Sequence, residues 1–176
     1  QKINMSSGSS YSDTRGLAEL RNVIAKKIFT EQKIEVSPET EVLVTVGAKE
    51  AILSALLTLV DHGDEVLVED PGYLGFEPII RLAGAKPIRI QLQKENGFRF
   101  PVENWQKYIT AKTKVLLICN PHNPTGYCLS KNELNEIGKT ARENGLTILV
   151  DEAYEHFVFD GRKHISLVSL TSMHSI

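Results

Sequence analysis

Two short apolar runs, VLLIC (115–119) and LTILV (146–150), with a helix-patterned segment between them, constrain this chain more than any other feature. Runs this short and rich in leucine and β-branched residues read as buried strands, and strand–helix–strand is the βαβ unit of a parallel sheet. In such sheets ligands gather beyond the carboxyl ends of the strands. Each run here ends in a polar cluster, NPHNPTG (120–126) after the first and DEAY (151–154) after the second.

The chemistry of those clusters is specific. Asn120 and Asn123 carry amide donors and acceptors in a loop that Pro121, Pro124 and Gly126 keep out of helical conformation, so the amides are presented at fixed places. Asp151 leaves a buried strand as a carboxylate at the margin of an apolar interior, where it must be paired or hydrogen-bonded. Tyr154 can share its side if a turn begins there. A flat cofactor with a basic ring nitrogen and a phenolic oxygen suits this set, the carboxylate at the nitrogen and the Asn and Tyr at the oxygen. Taken alone, Asp151 reads equally well as a turn cap and Asn123 as an Asx turn.

In these residues the chain resembles the class I/II aminotransferases of the fold type I pyridoxal phosphate (PLP) enzymes, which carry an Asn-Pro-x-Asn-Pro-Thr-Gly loop followed by an Asp-x-x-Tyr pair. The resemblance implies an α/β fold, the three-layer αβα large domain of PLP-dependent transferases with a mostly parallel sheet, here incomplete. It implies a 1–10 N-terminal flexible segment, an 11–176 partial PLP-binding domain, and transfer of an amino group from an L-amino acid to a 2-oxo acid. A homodimer in the cytoplasm is the expected setting.

Further positions match the family pattern. Tyr11 precedes Gly16, Leu20 and Arg21 with the family's spacing, which implies that it reaches the PLP phosphate of the partner subunit. The strand EVLVTV (41–46) turns through Gly47 into a helix, and helix starts attract phosphate through their N–H groups and dipole. Gly47, Ala48 and Lys49 match the family's phosphate-binding turn. Tyr73, after the strand EVLVED (65–70), stands where the family stacks an aromatic side chain on the pyridine ring. Among these, Asp151 and Tyr154 are the candidate catalytic residues.

The remaining pattern supplies the frame. Leu17, Leu20, Ile24 and Ile28 recur at helical spacing and predict an amphipathic helix over about 17–29. A turn at Ser37-Pro38-Glu39, a helix over 48–60, a helix over about 77–83, a strand KPIRIQL (86–92) and a short helix over about 102–108 follow. Ser130-Lys131-Asn132-Glu133 is a capping box for a helix running to about Glu143.

Composition excludes several classes. A net charge of −2 and a pI near 6.2 leave no electrostatic footprint for nucleic acid. The run AILSALLTLV (51–60) is too short to cross a bilayer. Cys119 and Cys128 flank His122 but form no four-ligand set, so no metal is expected. Gly138-Lys139-Thr140 lacks the preceding glycine and the strand of a phosphate-binding loop.

The family's Schiff-base lysine belongs to a Ser-x-Ser-Lys-like context that would fall beyond Ile176, so the isolated chain is expected to be inactive. In the family two further strands lie between the first and fifth, and without them EVLVTV and LTILV are expected to show unpaired edges. The same scaffold also supports β-lyase, racemase and decarboxylase chemistry, or a non-catalytic PLP-binding regulatory module.

Overall fold

The computed structural model describes residues 13–170, in two compact units that meet in sequence at Val46 and Gly47. Tyr11 and the 1–10 segment lie outside the described residues.

In the first unit, helix α1 spans Ala18–Gln32, close to the predicted range. Its burial differs from the periodic reading: Leu17 is 62% and Leu20 43% exposed, whereas Arg21 is 2% exposed. The guanidinium is tolerated inside because its fork is satisfied. It donates to the carbonyls of Gly16 and Pro38 and pairs with Asp13 and Glu39. Gly16 has φ +94°, and a Cβ there would stand 2.5 Å from Cβ of Val44, so the position demands glycine twice over.

The expected strand over 41–46 does not form. Val44 N–H donates to the carbonyl of Arg15, but no strand is formed over these residues. Apolar β-branched sequence favours extension, but a strand exists only where a neighbouring strand continues its hydrogen-bond ladder.

The second unit is the three-layer αβα arrangement. Its sheet contains β1 (Glu65–Asp70), β2 (Lys86–Gln91), β3 (Thr113–Cys119) and β4 (Thr147–Asp151), in the order β2-β1-β3-β4 and parallel throughout. Side chains alternate across it. Val66, Val68, Val115 and Leu117 pack with Ile52 and Leu56 of α2 (Gly47–Leu59) and Phe76 and Ile80 of α3 (Phe76–Leu82). Leu67, Leu116 and Ile118 pack on the other side with Leu134, Ile137 and Ala141 of α4 (Lys131–Glu143), and with Phe100 and Trp105. Trp105 opens a single 3-10 turn, Trp105–Tyr108, where a longer helix was predicted.

The centre of the sheet, β1 and β3, is almost wholly buried, while every residue of β4 is half-buried. Among the described residues β4 pairs only with β3, which leaves the expected open edge.

Candidate active site

Parallel strands all end on one side of a sheet, and the chain places its polar clusters at three of those ends. After β3, the 120–126 loop is tied down from both directions. Asn120 N–H donates to the Asp151 carbonyl at 2.9 Å, and its side-chain oxygen accepts from Leu129 N–H at 3.0 Å. Asn120 is therefore fully buried and structural, contrary to its reading as a presented amide.

Asn123 is the presented one. Its Nδ2 donates to the Tyr154 hydroxyl at 3.4 Å, and both residues line a cavity of about 210 Å³ with Pro121, Pro124 and Phe157. Tyr154 is held edge-on against Phe157, with ring centroids 6.1 Å apart. Thus two motifs separated by a whole helix meet.

Asp151, at the end of β4, accepts from Ala153 N–H at 3.0 Å, which starts the turn that carries Tyr154. It lines a second cavity, of about 280 Å³, together with Ala48, Ala51 and Ile52. The start of α2 is thus brought to the carboxylate. Gly47 enters α2 with φ +77°, and Ala48 and Lys49 are exposed in its first turn. Lys49 Nζ lies 5.8 Å from the ring centroid of Tyr73, whose ring meets Phe76 edge-on at 5.3 Å. Tyr73 also lines a large cleft of about 530 Å³ after β1.

The exit of the loop is anchored by Glu133. Its carboxylate accepts from the Ser130 N–H at 2.9 Å, from the Tyr127 hydroxyl at 2.7 Å and from Arg99 Nε at 2.8 Å. Burial pushes this carboxyl up, but the hydrogen bonds from Ser130, Tyr127 and Arg99 outweigh it and hold the group below its ordinary range.

The sequence matches the family described as aminotransferase class I and II over residues 2–175. The chain belongs to that family. It is 43% identical to the aspartate aminotransferase of Pyrococcus abyssi over 163 residues, 93% of this chain and 42% of that protein. To a probable N-succinyldiaminopimelate aminotransferase of Mycobacterium tuberculosis it is 41% identical, over 90% of this chain and 40% of the relative. Among solved structures, the aromatic aminotransferase from Pyrococcus horikoshii OT3 superposes with a TM-score of 0.89 at 40% identity, over 93% of this chain and 44% of that one. The chain therefore spans about two fifths of the length of the relatives it matches.

Class I/II aminotransferases depend on PLP, and the donor set of this family member fits that group. An anion suits a ring nitrogen, two hydroxyl- and amide-type donors suit a ring oxygen, and a helix start suits a phosphate. Among the described residues no cluster of three or more metal-ligating side chains occurs, and no helix is long and apolar enough to cross a membrane.

Two buried titratable residues beside the site carried no clear sequence signal. Glu69, in β1, and His122, inside the loop, stand 3.5 Å apart. Burial pushes the Glu69 carboxyl up to about 8, despite the hydrogen bond from Cys119 N–H. Burial likewise pushes the His122 imidazole down to about 4, although the facing Pro71 carbonyl favours its charged form. At neutral pH the contact is therefore between a carboxylic acid and a neutral imidazole. Strand alternation, which puts position 69 on the face of buried Leu67, was the only available hint for Glu69.

Proposed function

We propose that this chain forms the PLP-binding part of an aminotransferase that moves an amino group from an L-amino acid to a 2-oxo acid. The convergence of Asn123, Tyr154, Asp151 and the start of α2 at the ends of β3 and β4 carries this reading. Residues 11–176 are assigned to the large domain, acting in a homodimer. The free thiols of Cys119 and Cys128 support a reducing compartment such as the cytosol.

PLP, when bound, supplies an electron sink for the pair released as a substrate Cα bond breaks. Asp151 would keep the ring nitrogen protonated, since an adjacent anion favours the cation. Asn123 and Tyr154 would donate to the ring oxygen and orient the ring. Tyr73 would cover its face, and Gly47, Ala48 and Lys49 would receive the phosphate at the helix start. Tyr11 is assigned to the phosphate of the partner subunit by family pattern alone.

The proton on Cα needs a lysine beside the cofactor. Lys139 lies in the middle of α4 and Lys163 in an exposed irregular segment after the turn at 160–161, and Lys49 is assigned to the phosphate. None of these three stands in the family's Ser-x-Ser-Lys-like context.

The test is to supply PLP, an L-amino acid and 2-oxoglutarate to the protein that carries this chain. Amino transfer that falls about a hundredfold in Asp151→Ala supports the assignment. Consumption of the amino acid with no dependence on 2-oxoglutarate would place the protein in elimination, racemisation or decarboxylation chemistry instead.

A further inference from the structure

The 120–126 loop has to hold Asn123 toward Tyr154, yet Asn123 itself is half exposed and its contact to the hydroxyl is long, 3.4 Å. Something behind it must set the loop. The residue immediately before it, His122, is buried and touches both the loop itself and β1. Its Nδ1 is 2.7 Å from Thr125 Oγ1 within the loop, and its Nε2 is 3.5 Å from Glu69 Oε2 in β1. Its backbone N–H donates to the Tyr127 carbonyl at 2.7 Å, and its carbonyl accepts from Gly126 N–H at 2.8 Å.

Glu69 is in turn fixed from β3, because its Oε2 accepts from Cys119 N–H at 3.0 Å. The chain of contacts runs from β3 through β1 to the loop. We propose that His122 is a positioning residue, whose ring, held between Glu69 and Thr125, fixes the 120–126 loop so that Asn123 faces Tyr154. The proposal rests on reading Asn123 and Tyr154 as cofactor contacts for its functional consequence, but not for its geometry.

The arrangement does not describe a metal site. Cys119, the nearest thiol, donates to the Pro121 carbonyl at 3.2 Å, and burial pushes it up to about 12, so it stays protonated. The imidazole is distinguished by Nδ1, which bonds to Thr125 Oγ1, while the buried Nε2 faces Glu69 Oε2 at 3.5 Å without a hydrogen bond. Thr125 Oγ1 completes the link by accepting from Tyr127 N–H at 3.3 Å.

The experiment measures the nuclear Overhauser contact between the Asn123 side-chain amide and the Tyr154 ring in the protein that carries this chain, without added cofactor. His122→Phe keeps an aromatic ring and removes both nitrogens, Thr125→Val removes the hydroxyl, and Thr125→Ser keeps it. The contact is expected in the parent chain and in Thr125→Ser, and is expected to vanish in His122→Phe and Thr125→Val while the circular dichroism stays native. Persistence of the contact in both disrupting variants, or its equal loss in Thr125→Ser, overturns the proposal. If His122→Phe fails to fold, the Val and Ser pair decides.

A second arm titrates PLP, with affinity expected to fall on the order of three- to tenfold in Thr125→Val relative to Thr125→Ser. Failure of the parent chain to bind PLP counts against the site assignment. The amide-to-ring contact still decides the role of His122.

Discussion

Replacing Glu69 by Gln should flatten the pH dependence of stability between about pH 6.5 and 8. The buried carboxyl is raised from 4.5 to about 8, so its stabilising effect is complete below pH 4.5 and is lost as pH rises toward 8. His122 is lowered from 6.5 to about 4, so its effect has the opposite sign: stability is present above pH 6.5 and is lost as pH falls to 4. Between 4.5 and 6.5 the two slopes oppose one another and largely cancel. From 6.5 to 8 only Glu69 acts, with the folded chain holding a proton that the unfolded chain has released. One proton over one and a half pH units, at about 1.4 kcal/mol per unit, sets a ceiling of about 2 kcal/mol. Gln retains an oxygen for the Cys119 N–H but cannot ionise. Urea unfolding at fixed ionic strength, measured every half unit from pH 5 to 8, gives both curves, and subtraction removes every group the two chains share. A parent chain as stable at pH 8 as at pH 6.5, or a variant that keeps the decline, would refute the burial of an acid–imidazole pair.

Two further substitutions test the frame. Gly16→Ala places a Cβ 2.5 Å from Val44 Cβ at φ +94°, and should destabilise residues 13–46 by about 2 kcal/mol or more, read as lost amide protection there. Ser130→Ala removes the hydroxyl that accepts from Glu133 N–H at 3.3 Å and donates to its carboxylate at 2.6 Å, and should cost about 1 kcal/mol in urea unfolding. Unchanged stability in either variant contradicts the local geometry assigned to it.

What the sequence revealed follows from the range of the interactions involved. The strand 65–70, the capping box at Ser130 and the helix to Glu143 were legible because period, cap and flanking turn are all local. The site motifs were legible because they sit at strand ends, where the βαβ pattern alone puts them together. Residues 41–46 read as a strand and are not one, since pairing depends on a distant neighbour rather than on composition. The stripe on α1 misled for the same reason: Arg21 is buried by carbonyls at Gly16 and Pro38 that no periodicity shows. His122 was legible only as a residue near two cysteines. Its partners Glu69 and Thr125 lie 53 residues before and three after it, and only the fold brings the first of them close.

The central claim, that the ends of β3 and β4 with the start of α2 form a PLP site, is tested most directly by equilibrium titration of this chain with PLP. Binding followed by cofactor absorbance, and weakened about tenfold or more by Asp151→Ala and by Asn123→Ala with the fold intact, is the predicted result. No binding by the folded parent chain, or binding that neither substitution alters, would contradict it.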